Sequence, residues 1–93
     1  MNDIIFTGFI EDVRNEKCSD VEVVRLSQIF AVLLPSFISD STKSEKNNKW
    51  YCEVTGGFSL NTERTKSDKE FDYFTGSFEL GEKNLKIFVK VRR

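Results

Sequence analysis

One stretch decides which architectures are open to this chain. Ser19-Asp20-Val21-Glu22 has the form of a capping box: the Ser19 hydroxyl accepts from the Glu22 N–H, and the Glu22 carboxylate accepts from the Ser19 N–H. Behind it, Val23, Leu26, Phe30, Leu33 and Phe37 recur at spacings of 3, 4, 3 and 4, which is one stripe of an α-helix. The other apolar segments read as strands, so this single helix must find its cover on a sheet. From Ile29 to Leu34 the helix is apolar all round, which marks that part as deeply buried or in contact with a partner. Pro35 disfavours α geometry at Leu34, but the stripe continues to Phe37. A kink or a short further turn is therefore expected rather than a clean stop.

The strand signals are of unequal quality. Residues 85–92 alternate cleanly, with Leu85, Ile87, Val89 and Val91 on one face and Lys86, Phe88, Lys90 and Arg92 on the other. Residues 3–12 are rich in β-formers, and their imperfect alternation predicts a strand buried on both faces or bulged, with Gly8 as the bulge candidate. Residues 50–60 read as one strand bulged at Gly56-Gly57, and residues 71–80 as another. Residues 39–49 and 61–70 hold no apolar residue and are expected to be exposed loops. An echo relates residues 51–60 to residues 71–80, with Thr55/Thr75, Gly56/Gly76, Phe58/Phe78 and Leu60/Leu80 identical. Two adjacent antiparallel strands bending at the same level would account for it.

The expected fold is a single α+β domain of order β-α-β-β-β. Its antiparallel four-stranded sheet carries the helix on one face. That order is loosely similar to cystatin-type folds, in which a curved sheet wraps one helix; none of that family's sequence motifs is present, so the likeness is architectural.

The chemistry is narrowed by what is missing. The 93 residues include no His, so the commonest general base and metal ligand are absent. Cys18 and Cys52 form no CxxC and are expected to be free thiols in a reducing compartment. Cys18 precedes the helix start, where packing against Val23 in a hydrophobic staple explains it better than nucleophilic chemistry. Asp68, Glu70 and Asp72 alternate, but the calcium-loop pattern with its central Gly is lacking, and a solvated turn is expected. No cofactor is implied and no catalytic residue is nominated. A metal- or thiol-dependent enzyme remains the third reading. The N-terminal residues lack a signal-like pattern and the longest strictly apolar run is six residues, so a cytoplasmic protein that does not enter membranes is expected.

The surviving readings are binding readings. Net charge is −1, but residues 41–93 hold eleven basic and eight acidic groups, and the last strand is the most basic part. Twelve aromatics is a high count for this length, and several stand beside cations. The first expectation is a non-enzymatic interaction protein, an inhibitor, immunity or accessory factor that occludes a site on a larger protein with an acidic surface. Trp50, Tyr51 and Phe88 would anchor it, and Lys86, Lys90 and Arg92 would steer it. The alternative is a single-stranded nucleic-acid binder using the same residues, with rings stacking on bases and cations meeting phosphates. A homodimer through surplus apolar surface is a further partner to consider.

Overall fold

The computed structural model describes residues 3–12, 14–39 and 48–93. The elements are β1 (Ile4–Ile10), α1 (Asp20–Ser39), β2 (Lys49–Glu53), a single 3₁₀ turn (Thr55–Gly57), β3 (Ser59–Ser67), β4 (Phe71–Leu80) and β5 (Lys83–Arg92). They form one α+β unit. The five strands make one antiparallel sheet in the order β1-β5-β4-β3-β2.

The helix starts as its sequence requires. The Ser19 N–H donates to Glu22 Oε1 at 2.9 Å, and the Glu22 N–H donates to Ser19 Oγ at 3.2 Å. α1 continues through Pro35 to Ser39. A proline inside a helix costs about 3 kcal/mol. Leu26, Phe30 and Leu34 are fully buried, each contributing about 1.5–3 kcal/mol by leaving water, so packing outweighs the proline. Beyond Pro35 the ring of Phe37 stacks on Trp50, with centroids 5.8 Å apart, and holds the last turn on the sheet.

Opposite the helix stripe stand Leu60, Phe74, Phe78, Leu85, Ile87, Val89 and Val91, all buried. α1 is long and apolar enough to cross a membrane by length and composition, although its longest strictly apolar run is six residues. In this fold it is the helix that closes the core.

Two sequence expectations are overturned. The sheet has five strands, not four, because residues 50–60 are a hairpin rather than one bulged strand. Gly56 and Gly57 both take positive φ (82° and 83°), which reverses the chain, and the Val54 N–H closes the turn on the Phe58 carbonyl at 2.8 Å. The segment 61–70, expected as a loop, is mostly strand: β3 runs to Ser67, paired with β2 on one side and β4 on the other. The echo therefore joins unlike structures, a turn at Gly56 and a mid-strand position at Gly76. Most of the other polar segment, residues 40–47, lies outside the described residues.

Of the two alternatives for β1 the bulge holds, between Phe6 and Gly8, and the strand joins the sheet at an edge beside β5. Phe6, Phe9 and Ile10 are 47%, 59% and 56% exposed.

Candidate functional site

The helix covers one face of the sheet, and strand register assigns residues to the other. Lys86, Phe88, Lys90 and Arg92 alternate with the buried side of β5. Directly across on β4 lie Ser77, Thr75, Tyr73 and Phe71, and beyond these on β3 lie Asn61, Glu63 and Lys66. Lys49 and Tyr51 of β2 extend the same face.

Five of the six residues nominated from the sequence share this helix-free face. Phe88 is half-buried, between Gly8 of β1 and Thr75 of β4. Lys86 is exposed beside it, and Lys90 and Arg92 follow along the strand. Tyr51 is 62% exposed but sits on the edge strand β2, three strand spacings from β5, or about 14 Å. Trp50 does not join them. It faces the helix, stacked on Phe37 and tilted against Phe74 with centroids 6.1 Å apart.

The structure gathers cations and rings at one corner of this face. Lys90 Nζ lies 4.4 Å from the Phe71 ring centroid, and the Arg92 guanidinium carbon lies 4.9 Å from it. Lys66 Nζ lies 5.4 Å from the Tyr73 centroid, and the two rings are 6.3 Å apart. At exposed sites such contacts contribute about 0.5–1 kcal/mol, enough to bias where a long side chain rests. Among the described residues Lys66, Lys90 and Arg92 enter no salt bridge. The neighbouring carboxylates are occupied elsewhere. Asp68 accepts the Phe71 and Glu70 N–H groups at 2.8 and 2.9 Å, which hold its pKa below the usual carboxylate value, and the Tyr73 hydroxyl at 3.1 Å. Asp72 pairs with Arg93 at 3.0 Å. Lys90 and Arg92 thus rest on the Phe71 ring without a paired carboxylate, while Lys66 rests on the Tyr73 ring with its charge also felt by Asp68.

Phe71, Tyr73 and Lys66 were missed from the sequence, yet two of them were readable. A two-residue turn at Gly81-Glu82 sets Leu80 opposite Lys83, and counting back sets Tyr73 opposite Lys90 and Phe71 opposite Arg92. Lys66 was hidden because β3 carries no apolar alternation beyond Leu60.

The two cysteines pack with the core rather than standing at this face. Both cysteines are free thiols. Burial pushes both thiols up, reinforced at Cys18 by Glu22, which opposes activation as nucleophiles. Asp68, Glu70 and Asp72 do not converge, since Asp68 caps the β3–β4 turn and Asp72 is held by Ser67 and Arg93. Among the described residues no group of acidic or Cys side chains could hold a metal ion. No protein-family model matches the chain, and neither a curated protein nor a solved structure matches it significantly.

Proposed function

We propose that the protein is a non-enzymatic binding module that lays the helix-free face of its sheet on an anionic partner. The observation that supports this most is the resting place of Lys66, Lys90 and Arg92. They lie over aromatic rings rather than against carboxylates, although the chain as a whole carries a net charge of −1. Cations held on rings have already lost part of their side-chain freedom, so an incoming anion orders them at less cost.

Both partners considered from the sequence would meet this face. The acidic surface of a larger protein would be occluded by it, as an inhibitor or accessory factor occludes a site. A nucleic-acid strand would lie across it. Both thiols are free, as a reducing compartment such as the cytoplasm keeps them.

Heparin-agarose at low salt tests the reading. A protein of net charge −1 has no global reason to be retained, so retention would report a local patch. The intact chain is expected to bind and to elute with salt, and the triple variant Lys66→Gln, Lys90→Gln, Arg92→Gln to pass straight through. Passage of the intact chain through the column, or equal retention of the variant, would remove the helix-free face as the working surface.

A further inference from the structure

We infer that the corner formed by Lys66, Phe71, Tyr73, Lys90 and Arg92 is a binding site for single-stranded nucleic acid, with the rings as base platforms and the cations as phosphate contacts. This rests on the reading of the helix-free face as an anion-binding surface and names its ligand.

The choice between strand and protein follows from where the apolar groups lie. A protein interface places uncharged aromatic anchors at its centre and charges at its rim. Here the middle positions of β4 and β3 are polar, with Thr75, Ser77, Asn61 and Glu63, and the one ring beside them, Phe88, is half-buried. The rings sit at one corner, with cations 4.4, 4.9 and 5.4 Å from their centroids. Rings and positive charges mixed at this range are poorly suited to a dry protein contact, since burying unpaired cations is costly. They suit a ligand in which flat apolar bases and anionic phosphates also alternate within a few ångströms.

The layout sets a direction and a size. Lys66 is on β3, both rings are on β4, and Lys90 and Arg92 are on β5, so the site crosses three neighbouring strands, about 10 Å. A nucleic-acid strand would run across the β-strands, with two rings for two bases and three cations for up to three phosphates. Tyr73 is fixed from behind by its hydroxyl on Asp68, which keeps its ring in place without a ligand.

The test is fluorescence anisotropy of a labelled mixed-sequence oligonucleotide with the full chain. DNA and RNA strands of one sequence, the matching duplex and poly-glutamate form the other arms. Three phosphate contacts on a single strand predict a loss of about 20-fold in affinity between about 50 and 200 mM salt. Lys90→Gln should flatten that dependence by about one contact, a slope change near 0.7. Phe71→Leu and Tyr73→Leu should each weaken binding by about fivefold or more at any salt, the equivalent of one stacked base. Tyr73→Phe keeps the ring but releases it from Asp68, so it should weaken binding less than Tyr73→Leu does, which separates stacking from loss of fold. Tighter binding to RNA than to DNA, or the reverse, would assign the strand's sugar and leave the site in place.

Binding to the duplex as tight as to the single strand would overturn the inference, because paired bases cannot reach the rings. Binding to poly-glutamate with no oligonucleotide binding would also overturn it and point to an acidic protein. So would heparin retention without any oligonucleotide signal, with the anion-binding face intact. Absence of both would bring down the underlying reading as well.

Discussion

The tip of the Phe30 ring points straight at the backbone of Gly76. A Cβ at position 76 would lie 2.8 Å from Phe30 Cζ and 2.9 and 3.0 Å from its two Cε atoms. Helix and sheet are therefore spaced by a missing methyl group, and Phe30 meets the buried Phe78 edge-on at 6.3 Å. Gly76→Ala is expected to destabilise by about 1–3 kcal/mol through overpacking, read as a lower urea midpoint. Combined with Phe30→Leu, the alanine should add much less than it does alone. Simple additivity in that double-mutant cycle would show that the two residues do not touch.

A second contact ties the helix start to the β4–β5 turn. Lys83 Nζ lies 3.2 and 3.1 Å from the two Glu22 oxygens. The Ser19 N–H first, and Lys83 second, hold the Glu22 carboxyl below its ordinary 4.5. A depressed pKa stabilises the fold above 4.5, and this support is lost as pH falls through the lower folded value. Lys83 is raised above 10.5 by the hydrogen bond to Glu22, so its contribution is intact below 10.5 and lost as pH rises through the folded value. Glu22→Gln keeps a capping acceptor but not the charge. Thermal midpoints taken across the acid range should fall less steeply for this variant, leaving the slope due to Asp12 and Asp68, which are also depressed.

These contacts also show what could be read in advance. The capping box and β5 were legible because each pairs a local chemical signal with the matching hydrophobic period: Ser19 with Glu22, and Leu85, Ile87, Val89 and Val91 with β5. β3 was not, because its inward positions after Leu60 are Thr62 and Arg64, and a strand paired on both sides needs no apolar alternation to form its ladder. Gly56-Gly57 carried a hairpin signal that was read as a bulge. The site suffered from the same gap: its members Lys90 and Arg92, with Lys86 and Phe88 beside them, lay on the one clear strand, whereas Lys66 lay on the hidden one.

Thr62 is 1% exposed, and its hydroxyl has no hydrogen-bond partner among the described residues. It sits in register with Trp50, whose indole N–H is likewise buried without one. An unsatisfied buried hydroxyl costs about 1–3 kcal/mol. Thr62→Val keeps the β-branched shape and removes the polar atom, so chemical denaturation should show a stability gain of about 1 kcal/mol or more. A loss instead would mean that the hydroxyl is bonded in solution.

β1 presents a long uncharged edge. Its sequence IIFTGFI contains no charged residue, and Phe9 is 59% exposed. Such edges pair with further strands unless a charge or a bulge protects them, and only the bulge at Phe6/Gly8 is present here. Sedimentation at rising concentration is expected to show self-association of the parent chain and its suppression by Phe9→Lys, with no change in thermal midpoint. Identical sedimentation of the two proteins would mean that the bulge alone protects the edge.

Trp50 gives the sharpest separation between the two faces of the sheet. It stacks on Phe37 of the helix, with ring planes 17° apart, and leans on Phe74 of β4, so it belongs to the packed side. Lys90 and Arg92 lie over Phe71 on the opposite side. A ligand held at that corner is separated from the indole by the thickness of the sheet, with no route to direct stacking. Trp50→Phe should therefore leave heparin elution and oligonucleotide affinity unchanged, while its effect shows in stability through the altered Phe37 contact. Indole emission should likewise stay nearly constant through a titration in which anisotropy reports saturable binding. Strong quenching, together with a large loss of affinity in Trp50→Phe, would move the contact surface to the helix side of β2 and away from the cation-covered rings.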